Sequence, residues 1–442
     1  MASMTDQHGV SSLDRAHALR ITGDKTAALR LAASILVANP DDVAAAALTG
    51  QLLAELGDRS QSEKAFQRVV DALIRRGELA PAVLAAKAAG NAGVDATALL
   101  TMIANAFGKG SKRVGDVSQK PPPLPASVEV APFFAQLSGA ELNEKAGKAL
   151  ERFVSGKDPV KADALVPRLP LFGALEPPAL AKLLGALLVR EVAGGTTVVQ
   201  QGEEGREAFI VGRGLLNVVR GTGSKTALLA ALGPGAIFGE MALVSEAPRA
   251  GSVVAVEATH LLVADRPHLE QVAAREPQIA RELGAFCHSR MVANLIRHSV
   301  FLAAVDPKKR EDLMGRFETR TLAAGTQLVK QGQEAAGLFL IASGGVQVSS
   351  KDSDGDTVVV AQLGPGDVVG EISLLLRRPA TADVHALHPT VALELTRERF
   401  QAAIREHPTL LSELYELATQ RDEETRSVVA QEALDVEDVV LL

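Results

Sequence analysis

Tryptophan is absent from the 442-residue sequence, tyrosine occurs once, and cysteine occurs once, at Cys287. A lone thiol excludes an intramolecular disulfide and any site built from several thiolates. Aromatics make up 3% against 47% hydrophobic residues overall, so the cores must be filled mainly by aliphatic side chains. The nine histidines are scattered, with no HxH pair on an expected strand, so neither a metal nor a metal-dependent enzyme is expected. No apolar run reaches the ~18 residues of a membrane span, and no basic-then-apolar leader opens the chain; a cytoplasmic protein without membrane contact is expected. Surplus positive charge is also lacking. A net charge of −7 argues against broad adhesion to nucleic acid or anionic lipid.

The length allows two to four domains with substantial cores. Residues 1–107 are rich in Ala and Leu with polar residues at helical intervals, predicting helices near 12–21, 25–38, 41–55, 60–75, 78–89 and 94–107. Gly23-Asp24 and Gly57-Asp58 lie 34 residues apart, the period of tetratricopeptide (TPR) repeats, whose helix pairs bury one face by stacking. Most aromatic positions of that repeat are missing apart from Phe66, so an unrelated helical bundle stays open. Residues 108–132 read as a flexible basic, Pro-rich linker. Connecting helices are expected over 133–168.

From there the chain duplicates itself. Gly195-Thr196 matches Gly325-Thr326, Gln201-Gly202 matches Gln331-Gly332, and Phe209-Ile210-Val211 matches Phe339-Leu340-Ile341. Gly233-Pro234-Gly235 matches Gly364-Pro365-Gly366, so the offset grows from 130 to 131 across the central hairpin. Short alternating runs such as 215–219 and 346–350 are bounded by glycines, as antiparallel strands are. Some eight strands closing on themselves would make a jelly roll in each copy, over 169–298 and 299–425. Helices should follow each, and residues 426–442 should form a tail.

The stretch with most chemistry is Phe238–Val253, FGEMALVSEAPRAGSV. Arg249 offers a planar fork of donors suited to a phosphate, Ala250 and Gly251 let backbone N–H groups approach an anion, and Glu240 can accept from a sugar hydroxyl. This stretch, with its interval from Glu240 to Arg249, resembles the phosphate-binding cassette of cyclic-nucleotide-binding domains in catabolite activator protein and protein kinase A regulatory subunits. The resemblance covers about 260 residues. It implies that Glu240 binds the ribose 2′-hydroxyl and Arg249 the cyclic phosphate. Gly239, Ala242, Ala250 and Ser252 would complete the site. Ala250, where cGMP-selective members carry a hydroxyl, implies cAMP rather than cGMP. The second cassette, Val369–Val384, keeps Gly370, Glu371 and Ser373 but has Ala380 for Arg249, Thr381 for Ala250 and Asp383 for Ser252. A degenerate second site follows, with Asp383 repelling a phosphate.

Other signals lack the required geometry. GPGAIFG at 233–239 is not a GxGxxG fingerprint, and GTGSKT at 221–226 lacks the Gly-Lys step of a P-loop. Asp352, Asp354 and Asp356 have no Glu at calcium-loop distance. Cys287 and His288 point about 100° apart on a helix. Lys112-Arg113 precedes the duplicated domains, as the inhibitory segment of kinase A regulatory subunits does, but Asp116 stands where an apolar residue is needed. The expectation is a multidomain α+β protein without catalytic residues or cofactor: TPR-like hairpins, then two jelly rolls. Its function would be that of a cAMP receptor and signal-transducing adaptor, coupling ligand in the first domain to an unknown protein partner through the helical region. A kinase A-like regulatory subunit and a ligand-free scaffold are the alternatives.

Overall fold

The computed structural model describes residues 11–115, 128–221, 226–245, 248–303, 305–352 and 355–440. The turn at 222–225, Asp116 and Asp354 lie outside them. Two compact units form: one runs to Glu203 and includes Glu207–Glu240 and Arg249–Gly284; the other comprises Glu204–Arg206, Met241–Pro248 and Ala285 onward.

In the first unit, helices α1 (Ser12–Ile21), α2 (Lys25–Ala38), α3 (Val43–Glu55), α4 (Ser62–Arg75), α5 (Leu79–Asn91) and α6 (Ala96–Phe107) lie within two residues of their predicted bounds. The reason is local. Asp24, Asp42 and Asp95 cap α2, α3 and α6 by accepting from the first-turn N–H groups of Ala27, Ala45 and Thr97. Gly23 and Gly57, at φ 99° and 93°, turn the chain where a side chain would be strained. Alanine-rich faces bring the helices close, around Leu29, Leu48, Leu52, Phe66 and Ile103. A further helix, α7 (Gly139–Ser155), packs on α2, α3 and α4. Leu142, Ala146, Leu150 and Phe153 recur on its buried stripe.

The expected linker is partly built into this unit. Val114–Gly115 pairs in parallel with Val166–Pro167. The Arg113 guanidinium donates to Ala164 O at 3.1 Å and Ile74 O at 3.4 Å. On the far side, Ser12 Oγ and the backbone of Val128 exchange hydrogen bonds, and Ala131 N donates to Ser34 Oγ. Composition alone suggested a free segment here; these long-range bonds hold its two ends.

The first duplicated domain has strands β1 (Leu188–Val192), β2 (Thr197–Val199), β3 (Glu207–Arg213), β4 (Leu216–Arg220), β5 (Ala227–Leu232), β6 (Ile237–Phe238), β7 (Ser252–Ala255) and β8 (Thr259–Asp265). They form two antiparallel four-stranded sheets, in the orders β1-β8-β3-β6 and β2-β7-β4-β5. Between them lies an aliphatic core around Val211, Leu216, Val253 and Leu261, with Phe209 stacked on Phe238 at 4.9 Å. In the second unit, β9 (Glu318–Leu322), β10 (Gln327–Val329), β11 (Gly337–Ser343), β12 (Val346–Lys351), β13 (Thr357–Leu363), β14 (Val368–Val369), β15 (Asp383–Ala386) and β16 (Thr390–Thr396) repeat both orders, as β9-β16-β11-β14 and β10-β15-β12-β13. The sequence suggested strands closed on themselves. Among the described residues the hydrogen bonding instead leaves each sheet open, because side-chain packing joins the two faces.

Helices α8 (Arg266–Arg275) and α9 (Pro277–His298) follow the first domain, and α10 (Arg397–Glu406) and α11 (Pro408–Val440) the second. The expected tail from 426 is helical as far as Val440, continuing α11 with no break at a Gly or Pro.

Within the first unit, α1 meets the edge of sheet β1-β8-β3-β6. Arg213 pairs with Asp14, Arg20 with Glu55 and Glu191, and the rings of His17 and His260 meet edge to face at 4.7 Å. Burial, helped by Arg213 and Arg20, lowers His260 to about 3. Burial likewise holds His17 well below the usual histidine value. The unfolded chain therefore binds protons more tightly, and stability is lost as pH falls from about 6.5 toward 3. His260 alone should remove about 1.4 kcal/mol between pH 7.5 and 5.5. Urea denaturation followed by circular dichroism at both pH values should show at least this loss, and a shallower one in His260→Leu.

Candidate functional site

The first cassette opens where β6 ends. Gly239 sits at φ 71°, and a Cβ there would lie 2.7 Å from Arg249 Nη1, so a side chain at 239 would strain the backbone and push the guanidinium from its seat. Glu240 follows in the short 3-10 turn Glu240–Leu243 and is 5% exposed. Arg249 is fixed from both sides of its backbone: its N–H donates to Glu203 O and its carbonyl accepts from Gly202 N, both at 2.9 Å. The guanidinium donates through Nη2 to Glu207 O at 2.7 Å and through Nη1 to Gly239 O at 3.1 Å. Burial lowers its pKa, opposed by the carboxylates of Glu207 and Glu240. Ser252 begins β7, and its buried Oγ accepts from Gln201 N at 2.9 Å. Ala250 is exposed in the turn before it. Gly239, Glu240, Arg249, Ala250 and Ser252 thus belong to one compact unit, with the arginine fork seated at the end of β6. Ala242, which is buried, falls in the other unit with Met241–Pro248.

The second cassette repeats the backbone and changes the side chains. Ala380 N donates to Gln333 O at 2.8 Å and Ala380 O accepts from Gly332 N at 2.9 Å, the bonds that Arg249 makes 131 residues earlier. Position 380 is therefore the structural partner of 249, and it carries a methyl group in place of a guanidinium. Gly370, at φ 90°, packs where a Cβ would meet Gly337 O at 2.5 Å. Ser373 Oγ accepts from Ala335 N at 3.0 Å, and Thr381 O accepts from Ser350 Oγ at 3.0 Å. Asp383 stands in for Ser252 as a cap: its Oδ1 accepts from Gln331 N and from Gln327 Nε2, both at 2.8 Å. A simple phosphate-repelling role for Asp383, expected from its charge, overlooks this structural use of the carboxylate.

The sequence reading missed Arg421. From α11 its Nη1 donates to Val368 O at 2.5 Å and to Glu371 Oε1 at 3.1 Å. Glu371 is 2% exposed, and burial raises its pKa against the opposing pull of Arg421. Arg378, just before the cassette's Ala380, pairs with Asp422 on the same helix. Gly370, Glu371, Ser373, Ala380, Thr381 and Arg421 line a mostly apolar pocket of about 280 Å³. No feature of the cassette itself pointed to Arg421. Only the adjacent Arg421-Asp422 on α11 offered a signal, and it reads equally well as a solvated helix face.

Among the described residues, no group of His, Cys, Asp and Glu is placed to hold a metal, and no helix is long and apolar enough to cross a membrane. The family model for the cyclic nucleotide-binding domain matches residues 189–276 and again 319–407. The chain is 26% identical over 282 residues to the cAMP-dependent protein kinase type II regulatory subunit of Drosophila melanogaster, covering 62% of this chain and 69% of that protein. It is 29% identical over 231 residues to the cAMP-dependent protein kinase regulatory subunit of Yarrowia lipolytica, covering 52% of this chain and 58% of that one. Among solved structures, the regulatory domain of Toxoplasma gondii protein kinase A in co-crystal with cAMP matches at 22% identity, covering 57% of this chain and 92% of that one, with a TM-score of 0.28. The two matched segments hold the two cassettes. Two segments of the chain thus match the cyclic nucleotide-binding domain family, and the chain is similar to the regulatory subunits of cAMP-dependent protein kinases.

Proposed function

We propose that this is a cAMP-responsive regulatory protein of the kinase A regulatory-subunit type, in which the first domain binds the nucleotide and ligand occupancy controls association with a kinase. The observation carrying the reading is Arg249: a guanidinium clamped by its own backbone at the end of β6, beside the buried Glu240. The cyclic phosphate would exchange the carbonyl partners of this fork for charge-assisted bonds, and Glu240 would accept from the ribose 2′-hydroxyl. Gly239, Ala250 and Ser252 frame the same seat. Both relatives named above are regulatory subunits of cAMP-dependent kinases, which favours a kinase over an unspecified partner.

We also read each domain's pair of sheets as a jelly roll and the six helices as TPR-like hairpins, on the strand orders and the helix succession. A second reading, an adaptor that meets another protein through these hairpins, draws support from Arg113. Its guanidinium is engaged by Ala164 O and Ile74 O, so this basic residue is not presented as a pseudosubstrate. Nucleic acid is not expected as a partner under either reading.

Calorimetric titration with cAMP should show one strong site, weakened about thirty- to several-thousand-fold in Arg249→Ala, with cGMP binding less tightly. Two equal sites, one surviving that substitution, would overturn the assignment. Kinase activity measured with the purified chain, with and without cAMP, separates the two readings: release of inhibition by cAMP supports the first, and indifference the second.

In the second domain we propose that Arg421 serves Glu371 rather than a ligand phosphate, so this site is degenerate. Arg421→Met strands a buried carboxylate and should lower stability by about 3 kcal/mol at pH 7.5. Because Glu371 is already raised by burial, the loss should shrink as the pH falls and the carboxyl protonates. Adding Glu371→Gln should restore part of it. Urea midpoints of the three proteins at two pH values provide the check.

A further inference from the structure

We infer that the first unit holds a second ligand site, a cavity between the helical region and the sheet β1-β8-β3-β6, built for an uncharged, mostly apolar small molecule with one hydrogen-bonding group. The cavity measures about 470 Å³, well inside the range of about 300–1,000 Å³ for small-molecule pockets. Its walls are mostly apolar, with Gln51, Glu78 and Asn91 among the polar groups that also line it. Ala44 and Ala47 line it from α3 and Ala88 from α5, while Gly212 forms part of the sheet floor. A Cβ on Gly212 would collide with Leu84 at 2.1 Å, so α5 packs directly on the sheet at that point. Small residues on both walls leave the space open.

One end of the cavity is polar. His17 and His260 both line it, and both are 6% exposed. Among the described residues, His17 Nδ1 and His260 Nε2 have no hydrogen-bond partner, Glu191 Oε1 lying 4.0 Å from the latter; buried polar atoms rarely keep this arrangement. Burial holds both imidazoles neutral, so each free nitrogen offers either an N–H or a lone pair. The charges around them are already matched. Arg213 is paired with Asp14 and donates to Ala258 O, and Arg20 is paired with Glu55 and Glu191. Of the charged groups that line the cavity, Arg213 and Glu191 are already paired and burial raises the pKa of Glu78 toward its neutral form, so a ligand charge of either sign is disfavoured. An alcohol, amide or ring nitrogen on a hydrocarbon or aromatic body fits both ends.

The assignment is independent of the nucleotide cassettes. Its test uses N-phenyl-1-naphthylamine, an uncharged apolar fluorophore with a single N–H, titrated into the full chain. The absence of tryptophan keeps the background low. Saturable one-site binding is expected. Ala47→Phe and Ala88→Phe, filling the cavity from opposite walls, should each weaken it at least tenfold, and His260→Leu severalfold. Val360→Phe, in the smaller pocket of the second domain, should leave it unchanged. With the wild-type chain, saturating probe should slow hydrogen exchange in α3 and α5. Unsaturable binding, unchanged affinity in both alanine variants, sensitivity to Val360→Phe, or exchange protection confined to 369–384 would each overturn the assignment.

Discussion

The two hydrogen bonds that grip the backbone of residue 249, from its N–H to Glu203 O and from Gly202 N to its carbonyl, set the geometry on which the candidate site depends. They tie the end of the cassette to the turn after β2, and so fix where the side chain at 249 begins. Given that origin, the guanidinium reaches the carbonyls of Glu207 and Gly239, and only a glycine at 239 leaves room for it. The second domain keeps the same grip at residue 380. A backbone clamp thus outlasts the side chain that it positions, which separates what the fold needs from what a ligand would need.

The two domains therefore differ in chemistry more than in form. In the first, a cation and a buried carboxylate come from within one cassette. In the second, the carboxylate remains and its cation comes from α11, 50 residues away in sequence. An acid as deeply buried as Glu371 needs a partner of opposite charge or a raised pKa, and it has both.

Much of this was legible in the chain. The six N-terminal helices announce themselves through periodicity and through Asp caps next to turning glycines, because these forces act over a few residues. The duplication is visible because glycines at positive φ cannot drift without strain: Gly195, Gly202 and Gly239 recur as Gly325, Gly332 and Gly370. Loss of the cassette arginine could be read directly from Ala380. What could not be read were pairings between residues far apart. Asp14 with Arg213, His17 with His260 and Glu371 with Arg421 leave no trace in spacing, since each depends on elements that meet only after folding. The stretch 108–115 was misjudged for the same reason: its composition is that of a free segment, and its anchors lie at Ile74, Ala164 and Val166.

The terminal helix also changes what the second domain requires from its surroundings. Arg421 and Asp422 are adjacent on α11, yet they engage opposite charges, Glu371 and Arg378, on the two flanks of one cassette. A pair of neighbouring residues with reversed polarity acts as a keyed plug, since sliding the helix by a single position would set like charges against each other. The two ion pairs thereby give the terminal helix one register and one orientation against that cassette.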